Sequence, residues 1–330
     1  MNQNHSRRRV LVAGAAAAAG ALLATGGAAA TTGRRRVTFH TPDGVQLVGH
    51  LRVPPGRARR PAIVLANAMT SVKEQSVNAG YAVRLTAAGF VTLTFDQRGF
   101  GESGGGPRLH EDNQVRLTDL HAAVTYLAGV SVVDPDRIGA MGASIGGGLA
   151  MNLTAYDPRV RAFAAIAAGL LDPARARVLM SAYPEMLAEQ TARLARYHRT
   201  GELDYIPVVR TAGVPAGDPV LFDNDIATAY YGTSRGAAPN WRNRVSALSL
   251  RTVLVHDTRN SSDTAGPGLL IVGERDESTA PADHRAVYDR LTGPRRLEIL
   301  PGVGHNDLYD QAPVEVAAGM AAEWFGTHLS

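Results

Sequence analysis

Three side chains, far apart along the chain, have the types and local settings that acyl chemistry needs. The run Ile138-Gly-Ala-Met-Gly-Ala-Ser-Ile-Gly-Gly contains Gly142-Ala143-Ser144-Ile145-Gly146, a G-x-S-x-G elbow. Glycine two residues to either side of a serine permits a strand to turn abruptly into a helix, where a Cβ would collide with neighbouring backbone. Such a turn holds the Ser144 hydroxyl above the sheet in a strained backbone conformation costing roughly 1–3 kcal/mol. An unassisted hydroxyl is a poor nucleophile near neutral pH and needs a base, itself oriented by an acid. Val272-Gly-Glu-Arg-Asp276 offers a carboxylate just after a late apolar run, and Gly302-Val-Gly-His305 an imidazole just after the last one. Of the ten histidines, His305 alone falls between the last expected strand and the terminal helix. Asp276 is favoured as the acid over Glu274 and Glu277, because it stands furthest from the apolar run while still in the turn. A glycine-rich turn with an incidental serine is the plain alternative, and the surrounding elements have to decide.

Those elements read as alternating strands and helices. Val37 to Val53 is two extended runs around Asp43-Gly44, a type I′ hairpin signal. Strands are expected at 62–66, 90–95, 137–141, 160–168, 268–272 and 296–300. Helices are expected up to Ala88, where Gly89 stops the first, and over 114–128, 147–155, 281–291 and 313–328. Strands alternating with helices of 10 to 15 residues indicate an α/β fold with a mostly parallel central sheet and helices on both faces. Ligands of such sheets bind outside the carboxyl ends of the strands, so residues following three different strands converge there. Residues 170–265 interrupt the rhythm. They read as an inserted helical cap, with a helical pattern at 178–197 broken near Pro184, because a structureless loop that long is improbable in a compact domain. Tyr230, Tyr231 and Trp241 in it suit the interior of the cap better than substrate contacts. The core is thus expected in two parts, 35–169 and 266–330.

Composition narrows the chemistry further. The 330 residues are 45% hydrophobic and 19% charged, an ordinary globular balance. The formal charge of +4 includes Arg7, Arg8 and Arg9 in an acid-free N-terminal stretch, which leaves about +1 for the remainder and no call for nucleic acid. There is no cysteine, which excludes disulfides, thiolate metal sites and a cysteine nucleophile. No phosphate loop, H-E-x-x-H or dinucleotide glycine pattern occurs, so neither a metal nor another cofactor is expected.

Residues 1–30 read as a twin-arginine-type export signal. Ser6-Arg-Arg-Arg precedes an Ala/Gly-rich apolar run that ends at Gly27-Ala-Ala-Ala30, an A-x-A-like cleavage site. The expectation is an exported protein, extracellular or associated with the cell envelope. An uncleaved membrane anchor is the competing reading, although alanine and glycine make the run weakly hydrophobic.

The elbow at 142–146, Asp276 and His305, in that order, resemble the α/β-hydrolase family over essentially all of residues 35–330. Ser71-Val-Lys-Glu-Gln75, Asp96-x-Arg-Gly-Phe-Gly-x-Ser103 and Asn240-Trp-Arg-Asn-Arg244 are similar to a dienelactone-hydrolase-related branch with bacterial hydrolases and fungal enzymes that release or transfer polyketide acyl chains. Many members of the family carry His-Gly where this chain has Asn67-Ala68. By position, the backbone N–H groups of Met69 and Ile145 are then expected to form the oxyanion hole. Lys73 and Glu74 read as a solvated or helix-capping pair, and Asp96 and Arg98 as loop scaffold. The resemblance implies a serine hydrolase acting on a small-molecule carboxylic ester or thioester through an acyl-enzyme. The alternatives are acyl transfer or C–C bond formation in polyketide metabolism and, from another class, a non-catalytic binding protein that keeps the fold.

Overall fold

The computed structural model describes residues 33–56 and 58–330; the expected export signal lies outside the described residues. The chain opens with an antiparallel pair, β1 (Gly33–His40) and β2 (Gln46–Val53), followed by β3 (Arg60–Ala66), α1 (Ser76–Ala87), β4 (Val91–Asp96), α2 (Asn113–Ala128), β5 (Val133–Ala143), α3 (Ile145–Tyr156) and β6 (Val160–Ile166). The 170–265 segment contributes α4 (Pro173–Leu179), α5 (Tyr183–Thr200), β7 (Tyr205–Ile206), α6 (Asp225–Tyr231), β8 (Val245–Ser246) and α7 (Leu250–Val255). The chain then returns through β9 (Gly268–Gly273), α8 (Pro281–Arg290), β10 (Arg295–Leu300), a short α9 (Asp307–Asp310) and α10 (Pro313–His328).

Eight strands form one sheet in the order β1-β2-β4-β3-β5-β6-β9-β10. The pairs β1/β2 and β2/β4 are antiparallel and every other pair is parallel, so six neighbouring strands end at the same edge. The strands are apolar on both faces because both faces are covered. On β5, Met141 and Ala143 join the core beneath α1 and α10, while Ile138 and Ala140 join the opposite core beneath α2 and α3. The same alternation on β3 puts Ile63 and Leu65 on one side and Ala62, Val64 and Ala66 on the other. A period of two carried through the central strands divides the interior into two layers.

Two local expectations are corrected. The β1–β2 connection is a five-residue loop, Thr41 to Val45, because His40 pairs with Gln46. A two-residue I′ turn needs positive φ at both Asp43 and Gly44, and only Gly44 has it, at +84°. Lys73 is neither solvated nor a cap. Its side chain is 0% exposed, with Nζ 2.7 Å from Glu74, 2.7 Å from Asp96 and 2.6 Å from Glu102. Asp96 also accepts from the backbone N–H of Lys73 (2.9 Å) and of Glu102 (2.9 Å), so it organises the loops after β3 and β4 together. Arg98 donates to both Asp119 and Asp43, a scaffold role.

The segment above the strand ends is a patchwork. Only α5 is long, and a good part of the rest is turn and loop stitched by the β7–β8 ladder. The helical pattern does break near Pro184, which occupies the first turn of α5, where its missing N–H costs nothing. Among the described residues no helix is long and apolar enough to cross a membrane.

Candidate active site

Ser144 caps the N-terminus of α3 with φ 52° and ψ −129°, a left-handed backbone that a non-glycine residue keeps only under constraint. The constraint comes from the end of β6 and from the first turn of α3: the Ser144 N–H donates to the Ile166 carbonyl (2.9 Å), and its own carbonyl accepts from Gly147 (2.8 Å) and Gly169 (2.7 Å). The flanking glycines are required by contact. A Cβ on Gly142 would stand 2.2 Å from the Gly146 carbonyl oxygen, and one on Gly146 would stand 2.2 Å from that of Ala66. The helix therefore starts at Ile145, two residues earlier than the sequence pattern indicates, packed directly on β3.

Asp276 and His305 arrive from the ends of β9 and β10. The two loops lie so close that a Cβ on Gly273 would meet the Val303 carbonyl oxygen at 2.2 Å. Glu274 accepts from the Gly302 N–H (2.9 Å) and Arg275 donates to the Gly302 carbonyl (2.9 Å), tying one loop to the other. The three acids of this turn are placed differently. Glu274 is occupied as a strut, Glu277 is exposed, and Asp276 is buried with Oδ2 2.8 Å from His305 Nδ1. Asp276 also accepts from the N–H groups of Ser278 (3.0 Å) and Thr279 (2.7 Å) and from the Thr279 hydroxyl (3.0 Å). Burial pushes its carboxyl up, but the bond from His305 and the donors of Thr279 outweigh that and hold it below the ordinary carboxylate range.

The other ring nitrogen of His305 has a partner that sequence reasoning missed. Nε2 lies 3.0 Å from the hydroxyl of Tyr309 on α9, and no hydrogen bond joins His305 to Ser144 among the described residues. Tyr309 is buried, which raises its phenol above the ordinary range, while the Ser144 hydroxyl beside it acts in the opposite direction. The signal was present in the sequence: residues four apart share one face of a helical turn, and His305 and Tyr309 have that spacing.

Met69 lies in the loop after β3, and both it and Ile145 line the cavity above Ser144. The Ile145 N–H, first of its helix, has no acceptor within α3. That of Met69 donates to no protein group among the described residues. The loop is fastened from below. Thr70, with φ 62°, donates its N–H to buried Glu111 (2.5 Å); Glu111 pairs with buried Arg116 (3.1 Å), and Arg116 in turn donates to the Asn67 carbonyl. From above, the Tyr231 hydroxyl donates to the Met69 carbonyl (3.0 Å). Tyr230 and Tyr231 are buried in the core cluster that also contains residues of α1 and α10, and Tyr231 faces the cavity as well.

The cavity has a volume of about 410 Å³ and contains Ser144, His305 and Tyr309 in its lining. Most of the remainder is apolar, including Leu170, Leu179, Met180, Phe222, Ile226 and Leu254. Its charged groups, Asp172, Arg175, Arg259 and Asp283, neutralise one another: Arg259 lies 2.8 Å from Asp283 and 3.6 Å from Asp172, and Arg175 pairs with Asp283. Among the described residues no group of three His, Asp or Glu side chains is arranged to hold a metal ion.

Known proteins resemble this chain in sequence and in fold. Residues 60–312 match the model of the serine aminopeptidase S33 family. The uncharacterized protein PA2218 of Pseudomonas aeruginosa is 32% identical over 314 residues, 89% of this chain and 81% of that one. Its crystal structure superposes with a TM-score of 0.75 at 28% identity, covering 91% of this chain and 94% of that one. A thiohydrolase of Eupenicillium brefeldianum is 29% identical over 88% of this chain and 92% of its own length. A polyketide transferase of Penicillium crustosum is 28% identical over 88% and 96%. These are fungal enzymes of the kind that the resemblance at residues 71–75, 96–103 and 240–244 implies. With the sheet order, the elbow and the family match in agreement, the chain belongs to the serine aminopeptidase S33 family and is an enzyme of the α/β-hydrolase fold.

Proposed function

We propose that the protein cleaves a carboxylic ester or thioester of a largely apolar acyl group through an acyl-enzyme on Ser144. His305 serves as the base and Asp276 fixes its tautomer, while the N–H groups of Met69 and Ile145 receive the oxyanion. The observation that carries this reading is the 2.8 Å bond between Asp276 and His305, formed from two strand ends at the wall of the cavity that the Ser144 elbow enters. The apolar lining supports the acyl preference, and the cancelled charges at the cavity argue against a strongly ionic substrate. Replacing Ser144 with alanine is expected to lower turnover of short acyl esters and thioesters by at least roughly 10⁴-fold and to abolish labelling by a fluorophosphonate. Full activity in Ser144→Ala would overturn the assignment.

A second outcome of the same acyl-enzyme is transfer to an acceptor other than water. The polyketide transferase among the relatives favours it, and the largely apolar lining of the cavity suits it. Supplying acyl thioester together with alcohol and carbon-acid acceptors, and recovering only the free acid, would eliminate it.

The export reading stays with the Arg7–Arg9 signal and is tested by N-terminal sequencing of the protein recovered outside the cytoplasm.

A further inference from the structure

With His305 in the neutral form that a general base requires, the protons of the three-residue chain Asp276, His305 and Tyr309 have one consistent arrangement. Asp276 is ionised and is an acceptor on both oxygens, so His305 Nδ1 must donate to it. A neutral imidazole with its proton on Nδ1 has only a lone pair on Nε2. The Tyr309 hydroxyl, 3.0 Å away, must therefore donate its proton there. The phenolic oxygen keeps lone pairs free for a further donor, and Ser144 lines the same cavity beside it, with its hydroxyl hydrogen-bonded to no other protein group among the described residues. We propose that Tyr309 relays the proton from Ser144 to His305.

The step balances without any added reactant. As Ser144 Oγ bonds to the acyl carbon, the carbonyl π pair moves onto the carbonyl oxygen and the Ser144 O–H bond breaks. That proton passes to Tyr309 Oη while the proton already on Oη passes to His305 Nε2, giving an imidazolium paired with Asp276. On collapse the carbon–leaving-group bond breaks, the leaving atom takes the proton of Tyr309 Oη, and His305 Nε2 returns its proton to Oη. Tyr309 is neutral before and after. Burial makes a discrete tyrosinate costly, so the two transfers occur together.

The alternative, that Tyr309 merely covers Nε2 at rest and swings away before reaction, fits its surroundings poorly. Its ring packs edge-on against Tyr230, with centroids 5.0 Å apart at 85°. Its helical turn is anchored at the start by Asp307, which accepts from the Gly304 N–H (2.8 Å), and at the end by Asp310, paired with Arg235 (2.6 Å). A phenol clamped in this way is placed for use rather than for removal.

This inference rests on the Ser144, His305 and Asp276 reading, and the experiment separates the two. In Tyr309→Phe the ring and its packing are kept, and kcat/KM for a short p-nitrophenyl ester is expected to fall about 100-fold, with fluorophosphonate labelling of Ser144 slowed in parallel. The wild-type proton inventory on kcat/KM, measured in mixtures of light and heavy water, is expected to be bowed, as two protons in flight require. This second measurement needs no variant and stands even if Tyr309→Phe does not fold. Tyr309→Phe activity within threefold of wild type, or above it, would overturn the relay, and so would a linear wild-type inventory. Ser144→Ala and His305→Ala in the same assay locate any failure. If they are inactive while Tyr309→Phe is active, only the relay is wrong; if they are active, the triad reading fails first.

Discussion

The two walls that rise beside Ser144 are built in opposite ways. One is the loop from Asn67 to Thr70, held beneath by the buried Glu111–Arg116 pair and above by Tyr231, with the strained Thr70 backbone enforced by its bond to Glu111. The other is α4, a seven-residue helix with no buried residue, on which Val178 is 83% and Leu179 66% exposed although Leu179 lines the cavity. On the proposed reading the first wall presents the Met69 N–H to the reacting carbonyl, whose position cannot vary by much without loss of rate, and the second meets only the acyl group. Sparse packing marks the low-stability end of a structure, where a wall can yield to substrates of different shape.

The largest effect expected on that contrast comes from the rigid wall. Replacing Arg116 with methionine keeps most of the side-chain volume but strands Glu111 as an unpaired buried carboxylate, which costs about 3–5 kcal/mol. Denaturant unfolding is expected to show the loss, and activity measured where the variant is still folded is expected to fall as the Met69 N–H loses its fixed position. A change below about 1 kcal/mol would mean that the pair does not fasten this loop, and the two walls would no longer differ in kind.

The next effect probes the floor between the walls. His284 is wholly buried; its Nε2 accepts from the Ala168 N–H (2.8 Å) and its Nδ1 lies 3.1 Å from the Ala280 carbonyl, so it must be neutral. The Ala168 it holds precedes Gly169, whose N–H supports the Ser144 carbonyl. Burial pushes the imidazole down to about 4 from its ordinary 6.5, against the smaller opposing pull of the Ala280 carbonyl. The unfolded chain takes up a proton below about 6.5, whereas the native chain does not until about 4. Stability from this group is therefore full above 6.5, declines as pH falls, and levels off below 4, a loss of about 3 kcal/mol. In His284→Phe that share of the slope between pH 6.5 and 4 is expected to vanish from urea melts taken across the range. An unchanged slope would show that His284 is not the titrating group.

How much of this was legible in the sequence follows the same division. Strand and helix identities in the core were readable because both faces of the sheet are covered, and the elbow glycines were readable because contact with Gly146 and Ala66 leaves no room for a side chain. The placement of Asp276 and His305 just after β9 and β10 was readable from the apolar runs that precede them. Lys73 was misread because a lone lysine beside a glutamate looks solvated until Asp96 and Glu102, more than 20 residues on, close over it. Tyr309 escaped notice because the turn that carries it is only four residues long. The 170–265 segment was readable as a break in the strand–helix alternation but not in detail: α4 has no buried residue, and so leaves no periodic trace.

The smallest effect tests the pliant wall. Leu179 is mostly exposed, so Leu179→Ser is expected to change unfolding free energy by no more than about 0.5 kcal/mol, in contrast with Arg116→Met. Its remaining contact is with the cavity, and loss of part of a leucine surface there weakens binding of an acyl chain by about 1 kcal/mol. For a long-chain p-nitrophenyl ester this appears as a rise in KM of roughly fivefold with kcat unchanged, while an acetyl ester, too short to reach α4, is turned over as before. Equal effects on both esters would place Leu179 against the reacting carbonyl rather than the chain. A stability loss comparable to that of Arg116→Met would show that α4 is as firmly built as the loop it faces.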